Sequence, residues 1–282
     1  MPVTSRVVVG AGAAAAAAYI VWRRLTRPAV DLRTLAVELP PGVELLDPAD
    51  AEDAVECLAL AWSGSEATDP EFGFDWMLGA ALRGKFADPE RLRLLRWANR
   101  FFIGLNAAWG GGAIIVVRER GAVVAAAGVQ SYPRGLPGPV GDFLMFAGAI
   151  ARVAPRHGFG MLKAEGVSAR FESAFPTVEA AHKQAAGARP HLHIGPVGVL
   201  PSHQGRKLTS VMLRLANEWA DALGWCCYLE CGGDRNPKIY ARYGYEDVGG
   251  PGVAHGPLTM TCPEGEPPFE KFWSMRRPSS PP

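Results

Sequence analysis

The sequence predicts an α/β fold, and three observations carry that reading. Short runs rich in β-branched and small apolar residues recur between turn residues, over 43–46, 113–117, 123–129, 191–199 and 225–231. Between them lie stretches with helical periodicity, the clearest over 208–223. Glycine and proline punctuate the joins, as at Pro40-Pro41-Gly42, Gly64, Gly110-Gly111-Gly112 and Gly224.

The first strand, 43–46, is followed by Asp47-Pro48-Ala49-Asp50, which supplies capping chemistry for a helix carrying Ala54, Leu58, Ala61 and Trp62 up to Gly64. Residues ~74–84 and ~88–107 read as helices. The second shows a stripe of Leu92, Leu95, Phe102 and Leu105, expected to face the core. Arg118 to Gly121 joins two strands as a hairpin. Residues 131–190 are long for a loop, with helical candidates near 141–153 and 176–186, so this segment is expected to carry function or pack as a subdomain. On the 208–223 helix, Leu208, Val211, Met212, Leu215 and Trp219 share one face.

A chain of 282 residues, 48% of them hydrophobic, is long enough for one large domain with an appendage. Lys plus Arg (29) and Asp plus Glu (28) nearly cancel, so nothing calls for nucleic acid, and a small-molecule partner fits better. The five cysteines, Cys57, Cys226, Cys227, Cys231 and Cys262, are odd in number, form no C-x-x-C pair and lack clustered histidines. They read as reduced thiols in a cytoplasmic, reducing setting, with no metal site. Residues 1–30 stand apart. An uncharged run over 7–22 is closed by Arg23-Arg24, and no acid precedes Asp31. As a helix that run spans roughly 24 Å against a ~30 Å hydrocarbon core. It reads as a membrane anchor with the domain on the cytoplasmic side, or as a transit segment. The resulting layout is 1–30 as the appendage, 31–42 as a linker, 43–277 as the domain and 278–282 as a tail.

The chemistry concentrates in residues 191–249. A strand meets Pro201, turns through 202–207 and enters the 208–223 helix, aiming backbone N–H groups and the positive helix end at the turn. Arg206 and Lys207 add cationic charge there. Beyond it come Tyr228-Leu229-Glu230, then Arg235-Asn236, then Tyr240-Ala241-Arg242-Tyr243-Gly244-Tyr245. On the strands, Tyr228 and Glu230 share a face, as do His191 and His193.

These elements, with Val199 to Arg206 ahead of them and Phe272 to Pro278 behind, resemble the GNAT acetyltransferase superfamily in order and separation. The resemblance is strongest over 110–277. It implies a mixed, largely antiparallel twisted sheet of six or seven strands, splayed near Val197 and Val199, with helices on both faces. It also implies acetyl-CoA-dependent N-acetylation of a primary amine, small or peptidic, by direct attack. In that reading the backbone at Val197 and Val199 holds the acyl carbonyl. Gln204, Gly205, Arg206, Lys207, Leu208 and Thr209 cradle the pyrophosphate, and Asn236 touches the CoA arm. Tyr240 takes the general-acid position. Glu230 is the candidate base, with His191 and His193 as the others. Alternatives are a helix N-cap role for Asn236, a core role for Tyr240 and a structural role for Glu230. The sequence departs from the family pattern at Lys207 and Thr209, where glycines are usual. A catalytically inactive ligand- or partner-binding module is therefore the competing reading, and transfer of a longer acyl group a third.

Overall fold

In a computed structural model, residues 30–47, 51–64, 73–108, 111–132, 139–164, 166–261, 265 and 267–279 are described. The anchor expected over 7–22, Cys262 and the 280–282 end of the tail lie outside them. Among the described residues no helix is long and apolar enough to cross a membrane.

The strands are β1 (Val43–Leu46), β2 (Ala113–Glu119), β3 (Ala122–Tyr132), β4 (His191–Val199), β5 (Cys226–Gly232), β6 (Glu246–Asp247), β7 (Leu258–Met260) and β8 (Phe269–Arg277). They form one eight-stranded sheet in the order β1-β2-β3-β4-β5-β8-β6, with β7 also on β8. The strands beyond the expected count are the short β6 and β7. Every pairing is antiparallel except β4 with β5. The helices are α1 (Glu52–Ser63), α2 (Gly73–Met77), α3 (Pro89–Ala108), α4 (Pro139–His157), α5 (Val167–Ala185), α6 (Leu208–Leu223) and α7 (Asn236–Ala241).

Side-chain alternation divides the structure into two faces. On one, Ile115 and Val117 of β2, Leu192 and Ile194 of β4, and Cys227 and Leu229 of β5 pack with Met212, Leu215 and Trp219 of α6 and Tyr240 of α7. On the other, Ile114 and Val116 pack with Ala54 and Leu58 of α1 and Ile103 of α3, while Tyr228 packs on Ala185 of α5. The first face thus carries α6 and α7; the second carries α1, α3 and α5.

Several local expectations need correction. Helix α1 is capped by Ala51 with no side-chain bond, so the Asp47 to Asp50 stretch does not supply the cap through a described residue. Gly64 ends it with φ 74°, as expected. The helix expected over ~74–84 stops at Met77, because Gly79 and Gly84 turn the chain with φ 77° and 68°. That turning segment is fastened by the buried pair Asp75–Arg91 at 2.6 Å. Arg91 also donates to the carbonyls of Ser63 (2.9 Å) and Leu82 (3.0 Å), so its charge is hydrogen-bonded as well as paired. The 131–190 segment is more regular than expected, since α4 and α5 fill most of it. The expected linker contains a 3-10 turn, Leu32–Thr34, whose Leu32 is fully buried.

The described cysteines are free thiols. Burial pushes Cys57 and Cys227 up to about 12. An unfolded thiol titrates near ~8.5, so above that pH the unfolded chain sheds protons that the folded chain keeps. Stability is therefore full below pH ~8.5 and falls as pH rises toward 12, by about 1.4 kcal/mol per thiol per pH unit. Denaturant unfolding under reducing conditions at pH 8, 9 and 10 should show a falling midpoint. A flat profile would contradict the burial of these thiols.

Candidate active site

The site forms where β4 and β5 part. Their parallel pairing covers only His191–His193 against Cys226–Tyr228, after which both strands continue unpaired with each other. On its other side β4 pairs with β3, through a register shift opposite Gly128. A side chain at Gly128 would meet Gly195 O at 2.6 Å and Asn106 Nδ2 at 2.8 Å, so glycine permits the close approach.

Which backbone groups face the opening follows from strand alternation. Leu200 N–H donates to Val124 O on β3 (2.9 Å), and two-residue alternation sends Val199 and Val197 the other way. Consistently, Val197 O accepts from the Trp62 indole (2.9 Å) and Val199 O from Gln204 Nε2 (3.5 Å), neither of them on β3. Both valines therefore turn their N–H groups toward the opening.

At the turn before α6, Gly205 and Lys207 have φ 79° and 63°. The N–H groups of Gly205, Arg206, Lys207, Leu208 and Thr209 find no backbone acceptor among the described residues. Five successive free amides at a helix start make an anion-binding nest. Arg206 is held by Glu119 at 2.7 Å, so much of its charge is spent there, and Lys207 is the cation left to the turn. Lys207 adopts the left-handed conformation in which glycine costs nothing and other residues cost about 1–2 kcal/mol. Lys207→Gly should therefore leave the fold intact or slightly more stable. Both Lys207→Gly and Lys207→Ala should weaken the binding of a phosphate-bearing ligand at this turn by about two- to five-fold, the worth of an exposed charge contact, with the loss shrinking at high salt. Equal affinity among the three proteins in a titration would remove Lys207 from the site.

On the α5 face, His193 Nε2 lies 2.7 Å from Glu230 Oε2. In the neutral tautomer that donates from Nε2 to the carboxylate, Nδ1 is the acceptor nitrogen. That Nδ1 and Glu230 Oε1 are both buried without a partner among the described residues, as is Gln130 Oε1 on the neighbouring strand. Gln130 pairs with His193 in register, which sets their side chains on one face. Behind the dyad, His182 Nε2 and His191 Nε2 are 2.7 Å apart, and His191 Nδ1 donates to Arg189 O (2.7 Å). With His191 neutral, its Nε2 accepts from His182, and the two rings support each other structurally. Tyr132 stacks on His191 (centroids 4.7 Å) and Tyr228 on His182 (4.5 Å). Burial, and next the Glu230 charge, hold the Tyr228 phenol well above its usual range. Among the described residues no group of three or more His, Cys, Asp or Glu is placed to hold a metal.

Tyr240 stands on the α6 face, 8% exposed, and borders the same cavity as the dyad. Burial raises its phenol well above the ordinary value, so it stays protonated throughout the neutral range. Asn236 opens α7 as a helical residue and its amide donates to Gly232 O (2.9 Å), so it is not the N-cap; it too borders the cavity.

That cavity measures about 660 Å³ and reaches from Asn236 and Tyr240 past Val197, His193 and Glu230 to a wall of phenylalanines on α2 to α5. Here the α3 stripe is reassigned: Leu95 is core, but Phe102 and Leu105 line the cavity. Sequence reasoning also missed Trp62, Gln130, Tyr132 and His182. A readable signal existed on α5, where Phe171, Phe175, Val178 and His182 recur at helical spacing and all line the cavity.

The strand order, the parting of β4 from β5 and the amide-lined turn into α6 make this a GNAT-like α/β fold. No protein-family profile matches the sequence, and no curated protein matches it. Among solved structures, the chain is similar to a histone acetyltransferase HPA2-related acetyltransferase from Corynebacterium glutamicum, at 20% identity and TM-score 0.46, covering 86% of this chain and 98% of that one. It is also similar to a Drosophila melanogaster polyamine N-acetyltransferase, at 17% identity and TM-score 0.44, over 83% and 98% of the two chains. A third is Chaetomium thermophilum Naa20, at 12% identity and TM-score 0.37, over 84% and 86%. Likenesses this distant say nothing of substrate.

Proposed function

We propose that residues 43–277 form an acetyl-CoA-dependent N-acetyltransferase that acts by direct transfer to a primary amine. The observation that carries this reading is a set of buried acceptors on one wall with no partner among the described residues: Glu230 Oε1, Gln130 Oε1 and, in its neutral tautomer, His193 Nδ1. Buried acceptors are costly when left unmet, and an amine nitrogen brings the N–H donors that would meet them.

The chain's own groups then divide the work. Glu230, steadied by the His193 N–H, accepts a proton from the arriving ammonium. The freed nitrogen attacks the thioester carbonyl, and the new C–N bond pushes charge onto the carbonyl oxygen, which the N–H of Val197 or Val199 stabilises. As the C–S bond breaks, the Tyr240 phenol gives its proton to the departing sulfur. The proton still on the acylated nitrogen restores the phenol, so one proton is released per turnover. The nest of Gly205 to Thr209 holds the pyrophosphate, with Gln204 beside it and Asn236 on the pantetheine path.

Acetyl-CoA at ~100 times its dissociation constant should stabilise the full chain by about 2.7 kcal/mol, read as a raised Tm. The absence of any shift at millimolar acetyl-CoA would favour the inactive ligand-binding module instead.

A further inference from the structure

Resting on that reading, we propose that the acceptor is a primary amine with one positive charge and a bulky apolar body, of arylalkyl or medium-chain alkyl type. The cavity sets a polar wall of Gln130, His193 and Glu230 against a wall of phenylalanines, with Asn236, Tyr240 and the Glu179–Lys183 pair also on its lining. The nitrogen is fixed where Gln130, His193 and Glu230 offer acceptors, and what is bonded to that nitrogen must occupy the space beyond.

That space is an aromatic box. Phe74 meets Phe102 edge-on at 5.8 Å, Phe101 lies 5.4 Å from Phe146, and Phe146 meets Phe175 edge-on at 5.0 Å, with Phe171 at 6.1 Å from both Phe146 and Phe175. Phe74, Phe102, Phe146, Phe171 and Phe175 are each only half-buried by their own chain, though they line an interior cavity. Their uncovered area is apolar surface that an apolar ligand would remove from water. Among the described lining residues, histidines aside, the charged ones are Glu230, Glu179 and Lys183, and the last two pair with each other one helical turn apart. Glu230 is then the more deeply buried carboxylate that faces a cation, since Glu179 is more exposed and shares its charge with Lys183. A polyamine would bury its second ammonium among phenylalanines without a counter-charge.

The alternative source of an apolar group is a long acyl chain. The face division favours the amine. The phosphate nest and Tyr240 belong to the α6 face, from which the thioester arrives, whereas the acceptor wall and the aromatic box lie together on the opposite face.

The test uses the full chain and follows thiol release from acetyl-CoA. Acceptors are 2-phenylethylamine, n-octylamine, spermidine and a lysine-containing peptide. We expect kcat/KM for one of the two apolar amines to exceed that for spermidine and the peptide by about 100-fold, consistent with the rejection of an unpaired charge by an apolar pocket. Phe171→Ala should raise the KM for that amine about ten-fold and leave the Kd for acetyl-CoA unchanged; Phe171→Leu gives a milder version should the alanine variant fold poorly. Comparable turnover of spermidine or the peptide would overturn the proposal. So would faster transfer from octanoyl-CoA to ethylamine than from acetyl-CoA to 2-phenylethylamine, which would assign the box to the acyl chain. If acetyl-CoA raises the Tm but no apolar amine is acetylated, the inference fails while the acetyl-CoA site stands. If acetyl-CoA does not bind, the underlying reading fails.

Discussion

Tyr240→Phe should lower kcat by about 100-fold or more while leaving the affinity for acetyl-CoA nearly unchanged, the pattern of a lost general acid. The structure makes this substitution unusually clean. The ring packs in the core beside Tyr245, with centroids 6.1 Å apart, and phenylalanine keeps that packing. Burial and the Cys231 charge are the influences on the phenol, with no hydrogen bond among them, so removing its oxygen should cost little stability. A stable Tyr240→Phe protein with wild-type kcat would show that the sulfur leaves without help from this phenol. Because burial holds Tyr240 protonated well above the ordinary phenol range, its own ionisation should not appear in the rate profile below pH ~10. Any limb seen at lower pH belongs to another group.

Much of the fold was legible because local rules and tertiary packing agree. Helix α6 falls at the residues its apolar stripe and Gly224 indicate, and Gly224 takes φ 66° as a helix-ending glycine should. The hairpin at Arg120 and Gly121 closes with positive φ at both residues, 50° and 84°. The aromatic box was legible as apolar helix faces, on α3 and α5 alike, but not as a cavity wall, for a physical reason. Periodicity reports which side of a helix avoids water, and it cannot tell a side packed against neighbours from a side bordering an interior cavity; Phe102 and Leu105 share the α3 stripe with buried Leu95. The dyad was half legible. Strand alternation placed Glu230 with Tyr228 and His193 with His191, but the bond between His193 and Glu230 spans 37 residues. It depends on the parallel register that sets His193 beside Tyr228, which no local pattern encodes.

That pairing leads to the second large effect. Glu230→Gln keeps the size of the side chain and an oxygen that can still accept from His193, but it removes the carboxylate proposed as the base. At neutral pH an aliphatic amine is almost wholly protonated, so a site without a base can use only the small neutral fraction. We expect kcat/KM to fall by about 100- to 10,000-fold at pH 7, and the deficit to narrow about ten-fold for each unit of rising pH as the amine deprotonates itself. A carboxylate that served only to hold His193 would behave otherwise. Its loss would lower activity by a factor independent of pH, since the amine's own ionisation would be equally limiting in both proteins. His193→Gln separates the roles further. With the carboxylate kept but its hydrogen bond altered, the rate should drop less than in Glu230→Gln, and the pH dependence should keep its wild-type shape. Parallel pH profiles for Glu230→Gln and the wild-type enzyme would move the proton acceptor to another group. His193 Nδ1 would be the first to consider, because it is buried on that wall with no partner among the described residues and, unlike the Gln130 amide oxygen, a neutral imidazole nitrogen can take up a proton.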